Sequence, residues 1–289
     1  MSVAAALGLG LLIGAVLGAL GGGGAILTVP LLVYVLGQSA QDATTSSLVI
    51  VGLTAAVGTI GHARAEHVRW RTGSVFGLAG LVSAYAGTAL NRQVDEHVLL
   101  LGFAAVMIAA AVGMLMRSGK ATGSPQGELL EAAAVQAHRP GATDSGTVGI
   151  QRAAAPVGAR PPRRQTVQLV KVVAAGLTVG FLTGLFGVGG GFVIVPALTL
   201  ALGMPMPIAV GTSLLIIVLN SASALAARAG SAHFDCAVIA PFTLAAMTGT
   251  VAGRRIADRL PNSALNLAFA ALLFLVAAFV GGHNALALL

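Results

Sequence analysis

A glycine cluster inside an apolar run, closed by a proline, occurs twice in this chain and constrains its fold more than any other feature. The second copy reads Gly184-Leu-Phe-Gly-Val-Gly-Gly-Gly-Phe-Val-Ile-Val-Pro196, and the first reads Gly18-Ala-Leu-Gly-Gly-Gly-Gly-Ala-Ile-Leu-Thr-Val-Pro30. Each glycine costs a helix up to about 1 kcal/mol relative to alanine, so this composition does not specify an uninterrupted helix. The surroundings are apolar: 56% of residues are hydrophobic and 9% charged, where a soluble domain has about a quarter charged. Several runs reach the roughly 20 residues that cross a bilayer. The expected class is an all-α polytopic membrane protein, in which broken helices survive only where protein or a water-filled cavity satisfies the freed backbone.

The two motifs are separated by 166 positions, and the same offset aligns much more of the chain. It brings Gly10 and Gly14 onto Gly176 and Gly180, Ser46-Ser47-Leu48 onto Thr212-Ser213-Leu214, His67 onto His233, and Phe103-Ala104-Ala105 onto Phe269-Ala270-Ala271. The chain therefore reads as a duplication. The first repeat is residues 1–118, the second is 167–289, and 119–166 between them is a disordered linker with a basic end at Arg160–Arg164. A helical turn is expected around Glu128–His138. Each repeat holds a helix, the glycine break, a short apolar segment through Pro30 or Pro196, and three spans. The spans are expected near 43–61, 73–91 and 97–116, then near 208–227, 237–254 and 263–281. Small residues at spacing four, Gly10/Gly14/Gly18 and Gly176/Gly180/Gly184, form stripes that let two helix backbones approach closely.

Basic residues cluster in the loops 61–72 (Arg64, Arg69, Arg71) and 254–262 (Arg254, Arg255, Arg259), which do not correspond under the repeat. The positive-inside bias puts both loops and the linker in the cytoplasm only if the two repeats are inverted. Inverted repeats with glycine-broken helices are a common plan of secondary transporters. The net charge of +7 is explained by this loop bias, and no nucleic-acid partner is expected. Cys236, the single cysteine, excludes an intrachain disulfide and a cysteine zinc cluster. No metal or cofactor is expected, and no phosphate-binding Gly-x-x-x-x-Gly-Lys-Ser/Thr motif occurs.

The motif Gly184–Gly191 with Pro196, the stretch Ala209-Val-Gly-Thr-Ser-Leu214 and their weaker first-half copies resemble the sulfite exporter TauE/SafE family of membrane transporters. The first half departs from the stronger copy with Ala25 opposite Gly191 and Thr45 opposite Gly211. The resemblance implies a secondary transporter of small sulfur-containing or organic anions, such as sulfite, sulfoacetate or a related sulfonate, in the cytoplasmic (inner) membrane.

The residues themselves support an anion. A helix that starts inside the membrane presents unpaired N–H groups and partial positive charge, a combination that binds anions. The expected site is Gly21, Gly22, Gly23 and Gly24 facing Gly187, Gly189, Gly190 and Gly191, with Pro30 and Pro196 shaping the adjoining helices. Ser46, Ser47, Thr212, Ser213 and Asn220 are its expected polar lining, although capping and interhelical bonding are the ordinary uses of such groups. His67 and His233 read as loop residues, solvated or held by a structural bond rather than forming a proton relay, and His62 lies nearer a span end. No carboxylate falls mid-span, so a carboxylate proton relay has no candidate. A passive anion channel stays open as the alternative, as does an intramembrane enzyme using Ser213 with His233. The partners are the small anion and the lipid bilayer, and a homo-oligomer is compatible with the sequence.

Overall fold

The computed structural model describes residues 3–35, 37–38, 40–91, 93–121, 162–186, 191–227 and 236–287. The central segment 122–161, including the expected turn at 128–138, lies outside them. Among the described residues every regular element is helical. The first repeat gives α1 (Val3–Leu20), α2 (Gly23–Tyr34), α3 (Ala40–Arg64), α4 (Trp70–Asn91) and α5 (Glu96–Ala121). The second gives α6 (Pro162–Phe186), α7 (Gly191–Pro196) with a π-helical turn Ala197–Ala201, then α8 (Met206–Ala227), α9 (Cys236–Ala257) and α10 (Asn262–Ala287). Helix α6 starts at Pro162, inside the segment read as linker; proline suits a first helical turn because its missing N–H is not needed there.

Five stretches are long and apolar enough to cross a bilayer: Asp42–Arg64, Trp70–Leu90, Val167–Phe186, Met206–Ala226 and Asn262–Phe279. Large apolar side chains such as Leu78, Val82, Leu244, Leu275 and Phe279 are exposed, which suits contact with lipid. The protein is membrane-embedded and multi-pass. By contrast, the 12 residues of α2 cover only about 18 Å as a helix, short of the roughly 30 Å hydrocarbon core. The glycine break and this short helix therefore return the chain without a full second crossing by α2.

Repeat-related helices share local chemistry. Helix α2 ends with Gly37 at φ 69°, Gln38 N–H donating to Leu32 O and Gly37 N–H to Val33 O; this is the closure a left-handed glycine permits. The counterpart turn carries Gly203 at φ 69° and Met204 N–H donating to Leu198 O. Pro196 cannot donate to the preceding turn, and the helix widens into its π turn directly after it. Thr199 Oγ1 donates to the carbonyls of Val195 and Pro196 at 3.0 and 3.1 Å, occupying acceptors that the altered ladder would otherwise leave unserved.

The glycine stripes are packing surfaces, and their partners lie in the opposite repeat. A methyl group built at Gly10, Gly14 or Gly18 would meet the backbone at Phe242, Ala246 or Thr250 of α9. One built at Gly176, Gly180 or Gly184 would meet Phe76, Gly80 or Ala84 of α4, which are the same three positions shifted by the repeat. Thr250 Oγ1 also accepts this closeness, donating to Gly14 O at 3.0 Å. The two repeats thus exchange their first helices.

These contacts also give helix directions. Gly10-to-Gly18 follows Phe242-to-Thr250, and Gly58 and Gly61 follow Thr250 and Arg254, so α1, α3 and α9 run the same way. Gly176-to-Gly184 follows Phe76-to-Ala84, and Gly73 and Gly77 follow Leu215 and Leu219, so α4, α6 and α8 run together. Gly52 meets Ser221 while Gly58 meets Leu214, so α3 and α8 are antiparallel. The core between these groups is filled by Leu17, Met107, Phe192, Val195, Leu214, Phe269 and their neighbours.

Candidate functional site

Gly21 is the hinge of the first break. Its φ of 73° lies in the left-handed region, where glycine alone pays no steric cost, and its N–H still donates to Leu17 O at 2.8 Å. The chain then starts α2 with Gly22 as N-cap and no capping side chain. The first N–H groups of α2 are left without side-chain capping at this point.

The two breaks meet. A methyl group at Gly22 would overlap the carbonyl oxygen of Gly191, and one at Gly191 would lie 3.0 Å from Gly22 O and 3.3 Å from Ala25 Cβ. Gly22 and Gly191 are both buried, and glycine is needed because the two backbones touch. The neighbours are close as well, though less so than at Gly22: Gly23 faces Leu272, and Gly24 faces Ile13 O and Leu17. Gly187, Gly189 and Gly190 lie outside the described residues. Pro30 lies within α2 and Pro196 within α7.

Ser213 joins this contact. Its hydroxyl lies 2.5 Å from where a Gly21 side chain would begin, so the break of one repeat is covered by a hydroxyl of the other. Ser213 Oγ donates to Val210 O at 2.7 Å, and its counterpart Ser47 donates to Thr44 O at 2.8 Å. These bonds leave each serine oxygen with capacity to accept but commit its proton, which is the ordinary structural use of such residues. Thr212 Oγ1 accepts from Arg69 N–H at 3.1 Å. Ser46 is buried at 1% exposure. His233, the base weighed for hydrolysis with Ser213, lies outside the described residues.

Asn220 is seven residues beyond Ser213 on α8, about 10 Å along the helix. Its Oδ1 is buried without a hydrogen-bond partner. Thr54, its counterpart under the repeat, is in the same condition: 1% exposed, with Oγ1 unpartnered. The 166-residue offset that aligns the two halves also aligns Thr54 with Asn220, and it is the sequence signal that they belong together.

His67 is a loop residue, but a partly buried one. Helix α3 closes with Glu66 at φ 58°, His67 N–H donating to His62 O and Glu66 N–H to Ala63 O, and this folds the loop inward. His67 then stands 6.1 Å from the ring of His62, and its carbonyl abuts Gly211. His62 is 2% exposed, with Nε2 3.4 Å from Gly18 O. Beside it, a cavity of about 350 Å³ is lined by Val57, Gly61, Arg64, Arg254, Arg255 and Asp258, among others. Arg254 pairs with Asp258 at 3.6 Å. The lining carries three guanidinium groups against one carboxylate, and it sits at the ends of α3 and α9.

Known proteins resemble this chain over most of its length. The sulfite exporter TauE/SafE family matches residues 6–280. A "Probable membrane transporter protein" of Xylella fastidiosa (strain 9a5c) is 33% identical over 284 residues, covering 96% of this chain and 95% of that protein. The "Probable membrane transporter protein YunE" of Bacillus subtilis (strain 168) is 26% identical over 234 residues, 78% of each chain. No solved structure matches the chain.

Proposed function

This chain belongs to the sulfite exporter TauE/SafE family, and from that premise we propose that it is a secondary transporter of small sulfur-containing or organic anions across the cytoplasmic membrane, built as two inverted repeats. Sulfite, sulfoacetate and related sulfonates are the substrates this reading favours. The observation that carries it is the contact of the two glycine breaks, Gly22 against Gly191, with Ser213 over Gly21. The opposed directions of α3 and α8 support the inversion.

The site in this proposal is Gly21–Gly24 with Gly187–Gly191, lined by Ser46, Ser47, Thr212 and Ser213. Uncapped N–H groups at the start of α2 supply partial positive charge to the anion. Since Gly22 and Gly191 touch, the anion enters between them only when α2 and α7 part. Alternating access is then a separation of these short helices within the longer bundle. The cavity at Arg64, Arg254 and Arg255 concentrates anions at the mouth, since a cleft of one charge sign raises the local concentration of its counter-ion. That face and the segment 119–166 are cytoplasmic in this proposal.

Flux into proteoliposomes tests it, comparing sulfite, sulfoacetate, thiosulfate and a plain carboxylate with and without a proton gradient. Saturable flux of one anion, reduced in Gly191→Ala, is the expected result. Non-saturating flux of several anions would instead make the protein a channel. Unchanged flux in Gly191→Ala would move the site away from the glycine contact.

A further inference from the structure

Resting on the transporter reading, we propose that Thr54 and Asn220 form a second polar station on the anion's path, separate from the glycine contact, and that it favours monovalent over divalent oxyanions. Helices α3 and α8 are antiparallel, with Gly52 close to Ser221 and Gly58 close to Leu214. In this register Thr54 and Asn220 lie at a similar level along the pair. They are also exact repeat counterparts, so the position is special to both halves of the duplication.

Both side chains hold buried polar atoms with no hydrogen-bond partner, Thr54 Oγ1 and Asn220 Oδ1. For Thr54 this departs from the local habit of the described helices. Other helical threonines, Thr28, Thr59, Thr243 and Thr250, donate to the carbonyl four residues back. That bond is locally available to any helical threonine, and Thr54 does not make it. An unsatisfied polar group away from water is destabilising, and an apolar side chain of the same shape would avoid the loss. Two different residue types, hydroxyl and amide, keep the same unsatisfied character at one repeat-related position. A passing ligand that exchanges hydrogen bonds with both accounts for this; packing does not.

The chemistry of the station sets its selectivity. No Asp, Glu, Lys, Arg or His occurs in 45–61 of α3 or anywhere in α8. A hydroxyl and an amide meet an oxyanion with neutral dipoles only, since a carboxamide can turn N–H toward an acceptor. The cost of taking an ion from water into a low-dielectric interior is large and, in the Born description, grows with the square of its charge. Neutral dipoles offset this for one negative charge far better than for two. Methanesulfonate-like monoanions are accommodated; sulfate-like dianions are not, and sulfoacetate with its two ionised groups becomes the weakest of the proposed substrates.

Thr54→Val and Asn220→Leu separate this inference from a structural role. Each removes an unsatisfied polar group, so a purely structural residue would leave flux unchanged and thermal stability equal or higher. We expect methanesulfonate flux in proteoliposomes to fall about tenfold or more in either variant, the loss of one hydrogen bond to a charged group, while the melting temperature in detergent holds or rises. Wild-type protein should prefer methanesulfonate to sulfate. Flux within about twofold of wild type in both variants, or a wild-type preference for sulfate, overturns the proposal. So does a lowered melting temperature accompanying lost flux, which would make the pair a structural bond. Wild-type protein that carries no anion and gains no thermal stability from methanesulfonate overturns the transporter reading and this inference together; anion transport that ignores both substitutions overturns this inference alone.

Discussion

The two broken helices begin from one duplicated motif and finish differently. Helix α2 continues regularly through Pro30 to Tyr34, whereas α7 stops at Pro196 and widens into the π turn Ala197–Ala201. The side chains around each proline decide this. In the second repeat Thr199 donates to both Val195 O and Pro196 O; its counterpart is Val33, which has no hydroxyl to offer. In the first repeat the hydroxyl comes earlier, with Thr28 donating to Gly24 O at 3.0 Å, in the turn that follows the break. A duplicated proline is thus not a duplicated bend. What differs is which carbonyls a nearby threonine serves, and whether the ladder widens after the proline or runs on unchanged.

The breaks are unequal in a second way, which gives the largest expected effect. Gly22→Ala drives a methyl group into the carbonyl oxygen of Gly191, while Gly191→Ala meets neighbours at 3.0 and 3.3 Å. Loss of folded protein, or destabilisation above about 3 kcal/mol, is expected for Gly22→Ala in thermal unfolding in detergent. Gly191→Ala should remain folded and lose flux. Equal tolerance of the two would erase the asymmetry.

The stripes should behave alike instead. Gly14→Val and Gly180→Val each place bulk against the facing backbone, at Ala246 and Gly80, and each is expected to cost about 1–3 kcal/mol as an overpacked contact. One tolerated and one not would mean that the exchanged helices are not equivalent. Thr199→Val removes the hydroxyl that serves the π turn and is expected to cost about 1 kcal/mol, read as a lowered melting temperature. The smallest effect is a gain: Gly8 has open space where a side chain would begin, and its counterpart is already Ala174. Gly8→Ala should stabilise by up to about 1 kcal/mol, and a loss there would place an unseen neighbour against α1.

Much of this architecture was legible in the residues. The spans expected at 43–61, 73–91, 208–227 and 263–281 fall within a few residues of stretches long and apolar enough to cross a bilayer, because apolar length is a strong signal; 97–116 and 237–254 are helical but are not among those stretches. The stripe at Gly10, Gly14 and Gly18 announced a close backbone approach. It could not announce the partner, since small residues say only that something comes near; that the partner is α9 rather than a helix of the same repeat is a tertiary fact. The sequence left His67 open between solvent and a structural contact for a similar reason. Its inward turn depends on Glu66 adopting a left-handed conformation, which glycine usually supplies and glutamate does not advertise. For the site, the motif drew attention to Gly22 and Gly191, while Thr54 matters only once its missing bond is visible.

The exchange of first helices has a consequence for how the protein is made. Synthesis proceeds from the N-terminus, so α1 enters the membrane long before its packing partner Cys236–Ala257 exists. Until then the glycine face of α1 must rest against lipid, the translocation machinery or a temporary neighbour. Helix α4, by contrast, is already in place when α6 emerges. The first repeat is therefore not a finished module awaiting a second, and the face of α1 is covered only when α9 slides in beside it.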